Sequence, residues 1–228
     1  MHSYSDYPAP SGRAIVEFVR EHPFAVMATS APGAPVATHA PFVFPPAPPG
    51  AEPRDTLVGQ TLWGHIGRGN PHWRLFAEQP EALLVFASSH AYVSPTAYAL
   101  EPAVPTVNYT AVHLTGRIEI IEHGPAALDV VKQTVAQLEQ GRGEPWDQEP
   151  SIPVYERILN GVVAFRIEIE SETAMFKLSQ EVPEEVHARV VADLSQGGHR
   201  HEDVAELMRR VGADGRPQPA SGNPFAEY

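Results

Sequence analysis

A long run of apolar and β-branched residues, from Thr106 to Ile121 (TVNYTAVHLTGRIEII), constrains the fold more than any other stretch of the chain. Residues of this kind favour extended backbone, so the run predicts one long strand. Shorter runs of the same character predict further strands at Phe24–Thr29, Val36–Phe44, Thr56–Ile66, Ala82–Ser88 and Gly161–Glu170. The first two of these flank a Ser-Ala-Pro-Gly-Ala-Pro turn, which indicates a hairpin.

Helical patterns lie between and after the strands. They predict helices at Ser11–Glu21, His72–Glu78, Ala126–Gln140, Val154–Leu159, Pro183–Ser195 and His201–Val211. In the third, an apolar stripe is predicted to lie on the surface of the barrel and consists of Leu128, Val131, Val135 and Leu138. The proline-rich segment 45–55 is expected to be a loop, and 92–105 to be rich in turns. The fold class that follows is mainly β, a small antiparallel barrel with peripheral helices, in a single domain over residues 1–213 with a disordered tail at 214–228.

Composition limits the chemistry that such a barrel can hold. The 228 residues include no cysteine, which excludes disulfides, iron–sulfur clusters and thiolate ligands, so any metal or haem must use His, Tyr, Met or a carboxylate. The net charge of −12 argues against nucleic acid as a partner. No stretch has the length and apolar character of a membrane span, and no signal peptide is recognisable, so we expect a soluble cytoplasmic protein.

The segment from Thr61 to His113 carries the densest set of residues suited to a binding site. His65 comes at the end of a predicted strand, and a Gly-Arg-Gly turn centred on Arg68 follows it. Asn70 then has the position of a helix N-cap, with Pro71 as the first helical residue. Free backbone N–H groups beside an arginine predict a phosphate or carboxylate site at this turn.

Five short motifs occur in order between Pro23 and Gln180. They read His39-Ala-Pro-Phe, Gly64-His65-x-x-Arg68-x-Asn70-Pro71-x-Trp73, His90-x-Tyr92-x-Ser94-Pro95, Val104-Pro105-Thr106-x-Asn108-Tyr109-x-x-Val112-His113 and Phe176-Lys177-Leu178-Ser179-Gln180. Together they resemble the FMN-binding negative transcriptional regulator family, relatives of the pyridoxamine-phosphate oxidases. The resemblance implies a six-stranded antiparallel split β-barrel that forms a homodimer, with its cofactor near the subunit interface.

The chain departs from that family's pattern at several positions. Ala97 and Val107 stand where the family usually has tryptophan, and Ser88-Ser89 precede His90 in place of Gly-Pro. Gly67 replaces the alanine that usually precedes the arginine. Because two indoles are lost from segments expected to line the site, we expect a larger, flatter cofactor to fill the volume.

This pattern resembles the haem-dependent branch of the family, the piperazate synthases of actinobacterial peptide biosynthesis. The resemblance implies haem b, a histidine axial ligand, and cyclisation of N5-hydroxy-L-ornithine to L-piperazate with N–N bond formation and loss of water. It places the iron on His65, with His90 and His113 as alternatives, and other cofactor contacts on Arg68, Asn70 and Arg74. The residues expected to contact the substrate or support those that do are Tyr92, Ser94, Thr106 and Asn108.

Simpler interpretations of the same residues remain open. His65 fits equally well as a hydrogen-bonding residue at a turn or beside an FMN phosphate, and histidines such as His90 and His113 are more often structural than ligating. The runner-up function is an FMN-binding flavoprotein, either reductase-like or a redox-responsive transcriptional regulator. A DNA-binding repressor is a third class, disfavoured by the acidic charge.

Overall fold

The computed structural model describes residues 1–2, 4–99, 102–140, 142–144 and 146–195. Contacts group the chain into two compact units, of which the larger comprises residues 1–90 and 107–181. The smaller comprises residues 91–106 and the segment from Val182 onward. The predicted helix at 201–211 and the predicted tail at 214–228 lie outside the described residues, so the boundary at residue 213 stays a prediction.

Six strands of the chain form a closed antiparallel barrel. The strands along the chain are β1 (Phe24–Thr29), β2 (Val36–Val43), β3 (Thr61–Gly67), β4 (Glu81–Ala87), β5 (Ala91–Val93), β6 (Thr106–Ile120) and β7 (Val162–Lys177). The barrel order is β4-β1-β2-β3-β7-β6, and a further ladder between β4 and β6 closes it. The expected mainly β, six-stranded split barrel is therefore confirmed.

Three phenylalanines from different strands fill the middle of the barrel. The ring of Phe42 lies 6.0 Å from that of Phe86 and 6.1 Å from that of Phe165, between centroids, and all three side chains are fully buried. Gly64 makes this packing possible, because a Cβ at that position would lie 2.7 Å from a carbon of the Phe165 ring. The strand alternation that directs Gly64 inward directs His65 outward.

The closing strand is longer than the sequence pattern predicted. It was expected to end at Glu170 but continues to Lys177, across a β-bulge that lies opposite the Thr115–Gly116 step of β6. Thr115 pairs with Ser171 and Gly116 with Ile169, which leaves Glu170 as the extra residue. The bulge exchanges the inward and outward positions of β7, so the simple alternation breaks there.

The third strand starts five residues later than predicted, at Thr61 instead of Thr56. A turn occupies the intervening residues, with a hydrogen bond from the Gln60 N–H to the Leu57 carbonyl and a positive φ at Gly59. Leu57 itself is fully buried. The apolar residues that resembled a strand are therefore partly a buried turn.

The helices surround the barrel. They are α1 (Gly12–Glu21), α2 (Pro95–Tyr98), α3 (Pro125–Glu139), α4 (Ile152–Ile158) and α5 (Glu184–Ser195), with a 3₁₀ turn at Pro71–Leu75 where a helix at 72–78 was predicted. α1 begins as predicted, with the Ser11 hydroxyl accepting a hydrogen bond from the Ala14 N–H. Its Phe18 and Val19 pack into the same core as the barrel interior.

The buried face of α3 differs from the predicted apolar stripe. The buried residues are Ala127, Val130, Thr134 and Gln137, whereas Leu138 of the stripe is 48% exposed. Leu128 and Val131 of the stripe are partly buried against the cluster that contains Ala127 and Val130. Two glutamines of α3 also form tertiary hydrogen bonds with Phe44, the residue after β2. Gln137 accepts from the Phe44 N–H at 3.0 Å, and Gln133 donates to the Phe44 carbonyl at 2.8 Å. Polar side chains thus complete the backbone hydrogen bonding where β2 ends.

The smaller unit has a compact apolar cluster of its own. Val93, Ala97 and Tyr98 pack with Val186 and Val190 of α5. The region expected to be rich in turns therefore also holds part of β5 and the short helix α2.

Candidate functional site

His65 lies on the outer face of the barrel, beneath helix α3. It pairs in register with Ala164 of β7, and its ring reaches α3, where Nδ1 lies 3.4 Å from the hydroxyl oxygen of Thr134. Burial lowers the pKa of the imidazole below its usual value. The ring is therefore neutral at neutral pH, which is the form that binds metals.

The hydrogen bonds of Thr134 fix the tautomer of His65. The Thr134 hydroxyl donates to the Val130 carbonyl at 2.8 Å, as threonines in helices commonly do. Its single proton is thereby used, so its oxygen can only accept from His65, and Nδ1 must carry the proton. Among the described residues the Nε2 atom has no hydrogen-bond partner, and its lone pair is available.

The turn after β3 does not offer the free anion site that the sequence predicted. The Arg68 N–H donates to the Gly161 carbonyl at 2.7 Å, and the Asn70 N–H to the Gly67 carbonyl at 2.9 Å. The Arg68 side chain donates to two more carbonyls, from Nε to Asn160 at 2.8 Å and from Nη2 to Val162 at 3.0 Å. The backbone N–H and the side chain of Arg68 thereby join the turn to residues at and just before the start of β7.

Arg74 has a different environment from Arg68. It is exposed on the 3₁₀ turn, and its guanidinium lies 5.6 Å from the centre of the Trp73 ring, the same distance as that of Arg68. No carboxylate of the described residues forms an ion pair with it. Neither arginine is ion-paired in the described part of the chain, and Arg74 differs from Arg68 in that its guanidinium donates to no carbonyl there.

Asn70 belongs to a buried polar network that sequence reasoning missed. Its side-chain oxygen accepts from the His72 N–H at 3.0 Å, which confirms the predicted N-cap, and its amide donates to Thr38 at 3.1 Å. The His72 ring lies between two hydroxyls, with Nδ1 2.9 Å from Thr38 and Nε2 2.8 Å from Thr29. Burial lowers the pKa of His72. This ring joins β1, β2 and the 3₁₀ turn, and the only hint in the sequence was its position between Asn70 and Trp73.

The two alternative histidines lie elsewhere. His113 is half-buried on β6, where it pairs with Val85 and Thr173, and burial lowers its pKa. Its partner Thr173 is nine residues along β7 from Ala164, the partner of His65, so the two histidines pair with opposite halves of that strand. His90 is exposed. The larger unit therefore does not bring His65 and His113 into one cluster.

The residues expected to contact substrate have separate environments. In the smaller unit, Tyr92 is 53% exposed, Thr106 begins β6, and the Ser94 hydroxyl caps α2 by accepting from the Thr96 N–H at 3.3 Å. In the larger unit, Asn108 is buried, with its amide donating to the Ser179 hydroxyl at 2.8 Å. Ser179 is fully buried and has a φ of 61°, in the left-handed region.

Comparison with known proteins defines the family. Residues 1–171 match the family described as "Putative FMN-binding domain". The chain belongs to this family. It is 33% identical over 205 residues to "Protease synthase and sporulation protein PAI 2" of Bacillus subtilis, covering 89% of this chain and 93% of the relative. The resemblance found in the motifs is thereby confirmed.

Solved structures agree on the split-barrel fold of this FMN-binding family. One is a conserved hypothetical protein from Mycobacterium tuberculosis, with a TM-score of 0.55 and 15% identity, covering 80% of this chain and 94% of that chain. Another is the "FAD and Heme binding protein" from Mycobacterium smegmatis, with a TM-score of 0.50 and 16% identity, covering 93% of this chain and 92% of that one. At these identities the likeness concerns the fold.

The two positions that lack the tryptophans of the FMN-binding family differ in their surroundings. Ala97 is buried in the apolar cluster that includes Val186 and Val190 of α5, so aliphatic side chains pack beside it. Val107 is 40% exposed on β6. The volume expected to be left for a large cofactor is therefore not open at Ala97.

Two further properties bear on binding. No helix in the described part of the chain is long and apolar enough to cross a membrane. Among the same residues, no group of three or more histidine and acidic side chains could hold a metal ion.

Proposed function

We propose that the protein binds haem b through His65 and cyclises N5-hydroxy-L-ornithine to L-piperazate. The observation that carries the proposal is the state of the His65 ring. Its Nδ1–H is directed to the Thr134 hydroxyl and its Nε2 lone pair has no partner among the described residues. Histidine metal ligands usually have this arrangement, in which one ring nitrogen binds the metal and the N–H of the other is held by a hydrogen bond.

The fold is compatible with haem as the cofactor, whereas the family description names FMN. The chain belongs to an FMN-binding family, and a protein of the same fold is named for binding both FAD and haem. This type of barrel is therefore compatible with either class of cofactor. The absence of cysteine leaves histidine as the strongest neutral ligand for iron in the chain.

The charged residues near His65 in the sequence fit the carboxylates of a haem unequally. Arg74 is exposed and has no ion-pair partner in the described part of the chain, so it is the better candidate for a propionate. Arg68 already donates to two carbonyls, and Asn70 is bonded at both ends of its amide. We assign these two residues the role of holding the turn that follows β3.

The proposed reaction is balanced without an external oxidant or reductant. The α-amine forms a bond to the N5 nitrogen, the N–O bond breaks, and the departing hydroxide takes the proton released by the amine to leave as water. Bound haem supplies iron as a Lewis acid toward the hydroxylamine. The chain must hold the amine close to N5 and deliver a proton to the leaving oxygen. Tyr92, Ser94 and Thr106 stay the predicted residues for these tasks, and the exposed phenol of Tyr92 is suited to proton transfer. Asn108, which is buried and bonded to Ser179, has the supporting role among the predicted residues.

The experiment begins with absorption spectra of the purified protein titrated separately with haemin and with FMN. We expect a Soret band that shifts on binding, and loss of that shift in His65→Ala. His123→Ala is the matched control, because His123 is an exposed histidine on the turn before α3. His113→Ala and His90→Ala test the alternative ligands. Incubation of the haem-loaded protein with N5-hydroxy-L-ornithine should then yield a product lighter by one water in mass spectrometry.

FMN remains the second candidate because the family is described by FMN binding. Flavin that co-elutes with the protein, identified by its absorption spectrum, together with no uptake of haemin, would select this alternative and overturn the haem proposal. Haem uptake that persists in His65→Ala but vanishes in His113→Ala would show that His113 of β6, and not His65, is the iron ligand. The homodimer implied by the resemblance also stays a proposal, and light scattering of the purified protein measures it.

A further inference from the structure

A cleft with a volume of about 720 Å³ lies in the larger unit, between α1, α3 and the proline-rich loop. Its size is typical of a small-molecule site. His65 does not line it, and neither does any other residue assigned above to the cofactor or the substrate. The cleft is thus a separate feature of the molecule.

Gln137 gives the cleft an unsatisfied hydrogen-bond donor. This side chain is only 7% exposed, and its Nε2 atom has no hydrogen-bond partner. The amide cannot be turned over to relieve this, because its oxygen accepts from the Phe44 N–H at 3.0 Å. A buried donor without an acceptor is costly, and an acceptor atom of a ligand would remove the cost.

Arg20 provides an uncompensated positive charge at the same cleft. Its guanidinium lies 4.3 Å from the centre of the Phe44 ring and forms no ion pair with any described carboxylate. Arg13 also lines the cleft but is paired with Glu17 at 2.8 Å. In a chain with a net charge of −12, an unpaired arginine and an unsatisfied amide that line the same cleft favour an anionic ligand.

The proline-rich loop forms the wall of the cleft opposite α1 and α3, and it is fixed at both of its ends. Before the loop, both backbone groups of Phe44 are bonded to glutamines of α3. After the loop, the Leu57 N–H and the Thr56 hydroxyl donate to the Glu172 carboxylate at 2.7 and 2.9 Å. Gly12 of α1 lies so close to the Asp55 carbonyl that a Cβ would be 1.8 Å from its oxygen. The loop is therefore held against α1, and its prolines give the cleft a rigid apolar side.

We propose that this cleft binds a small anion with a flat apolar body, through a carboxylate or phosphate group. Its oxygens accept hydrogen bonds from Gln137 Nε2 and Arg20, and its apolar body packs against Phe44 and the prolines. The proposal does not depend on the haem or flavin chemistry.

The test uses the full chain free of haem and flavin, so that its outcome is independent of the proposed function. Phenyl phosphate and benzoate are the two anionic probes, and benzyl alcohol is the uncharged control. Isothermal titration calorimetry gives the dissociation constants, and NMR follows the side-chain NH₂ signals of Gln137. We expect at least one anion to bind with a dissociation constant below about 1 mM, and the alcohol at least tenfold more weakly. Preference between the two anions identifies a phosphate or a carboxylate site.

Variants tie the binding to these residues. Arg20→Gln changes an exposed side chain and should weaken anion binding about tenfold or more. Arg117→Gln, an exposed arginine of β6 that does not line the cleft, should bind as the unaltered protein does. Gln137→Leu should also weaken binding. If that variant fails to fold, a shift of the Gln137 side-chain signals on addition of an anion to the unaltered protein shows whether Gln137 takes part in binding. Absence of binding by both anions, an unchanged affinity in Arg20→Gln, or Gln137 signals that do not move would each overturn the proposal.

Discussion

The Nδ1 atom of His65 lies 3.4 Å from the hydroxyl oxygen of Thr134, and the same hydroxyl donates to the Val130 carbonyl at 2.8 Å. One threonine thereby sets the tautomer of the histidine that we propose as the haem ligand. Because the contact is long for a hydrogen bond, its strength is modest, and its main effect is on the direction of the ring. The helix α3 would thus take part in the proposed haem site although it carries none of the predicted site residues.

Thr134→Val tests this relationship. Valine keeps the shape of threonine but removes the acceptor, so the His65 ring loses the partner that orients it. We expect haem affinity to fall by about tenfold, the lower end of the usual effect of such supporting contacts. A haemin titration followed at the Soret band measures the change. Thr134→Ser, which retains the hydroxyl, should bind haem nearly as the unaltered protein does, and equal affinities for both variants would show that the contact has no such role.

Gly64→Ala should destabilise the barrel. The new Cβ would lie 2.7 and 2.9 Å from two carbons of the Phe165 ring, in a core that is already filled. We expect a loss of about 1–3 kcal/mol in the free energy of unfolding, as is usual for overpacking. Urea denaturation measures it. Gly67→Ala at the end of the same strand is the control, since a Cβ there meets nothing within 4 Å, and its effect should stay within about 0.5 kcal/mol.

The sequence predicted those parts of the fold that depend on local chemistry. The Ser11 and Asn70 caps, the β1–β2 hairpin and the long central strand follow from residues that are neighbours in the chain. The family motifs led to the split barrel, whereas the role of His65 stays a prediction. These features are local, or recur in the family, and so can be read from one sequence.

The features that the sequence did not predict depend on residues far apart in the chain. Polar residues of α3 bond to Phe44, some 90 residues away, and the inward–outward alternation of β7 breaks at a bulge opposite Gly116. The Arg68 turn was expected to be open, but carbonyls at the start of β7 use its donors. Hydrogen-bond partners of this kind are determined by the closed barrel, and no periodicity records them.

The pair formed by Asn108 and Ser179 provides a third test. Ser179→Ala removes the hydroxyl but keeps the strained left-handed backbone, so we expect a loss of about 1–2 kcal/mol in the free energy of unfolding from the unpaired Asn108 amide. Ser179→Gly loses the same hydrogen bond, but glycine adopts a positive φ without strain, which offsets about 1 kcal/mol. Chemical denaturation should therefore show the glycine variant as the more stable of the two. The reverse order would mean that the strain at Ser179 is negligible.

Buried histidines should make stability fall as the pH is lowered. Burial lowers the pKa values of His65, His72 and His113, so the unfolded chain binds protons more readily than the folded chain below pH 6.5, the ordinary histidine value. The stability that these groups contribute is complete above that pH and is lost as the pH falls toward the folded-state pKa values. His72 is the clearest case, because it is only 1% exposed. Between pH 6.5 and 5.5, we expect the free energy of unfolding to depend less steeply on pH in His72→Phe than in the unaltered protein, by up to about 1.4 kcal/mol per pH unit. His123→Phe, which alters an exposed histidine, should keep the original slope. Urea titrations at several pH values measure these slopes. Equal slopes for all three proteins would show that His72 takes up its proton without unfolding.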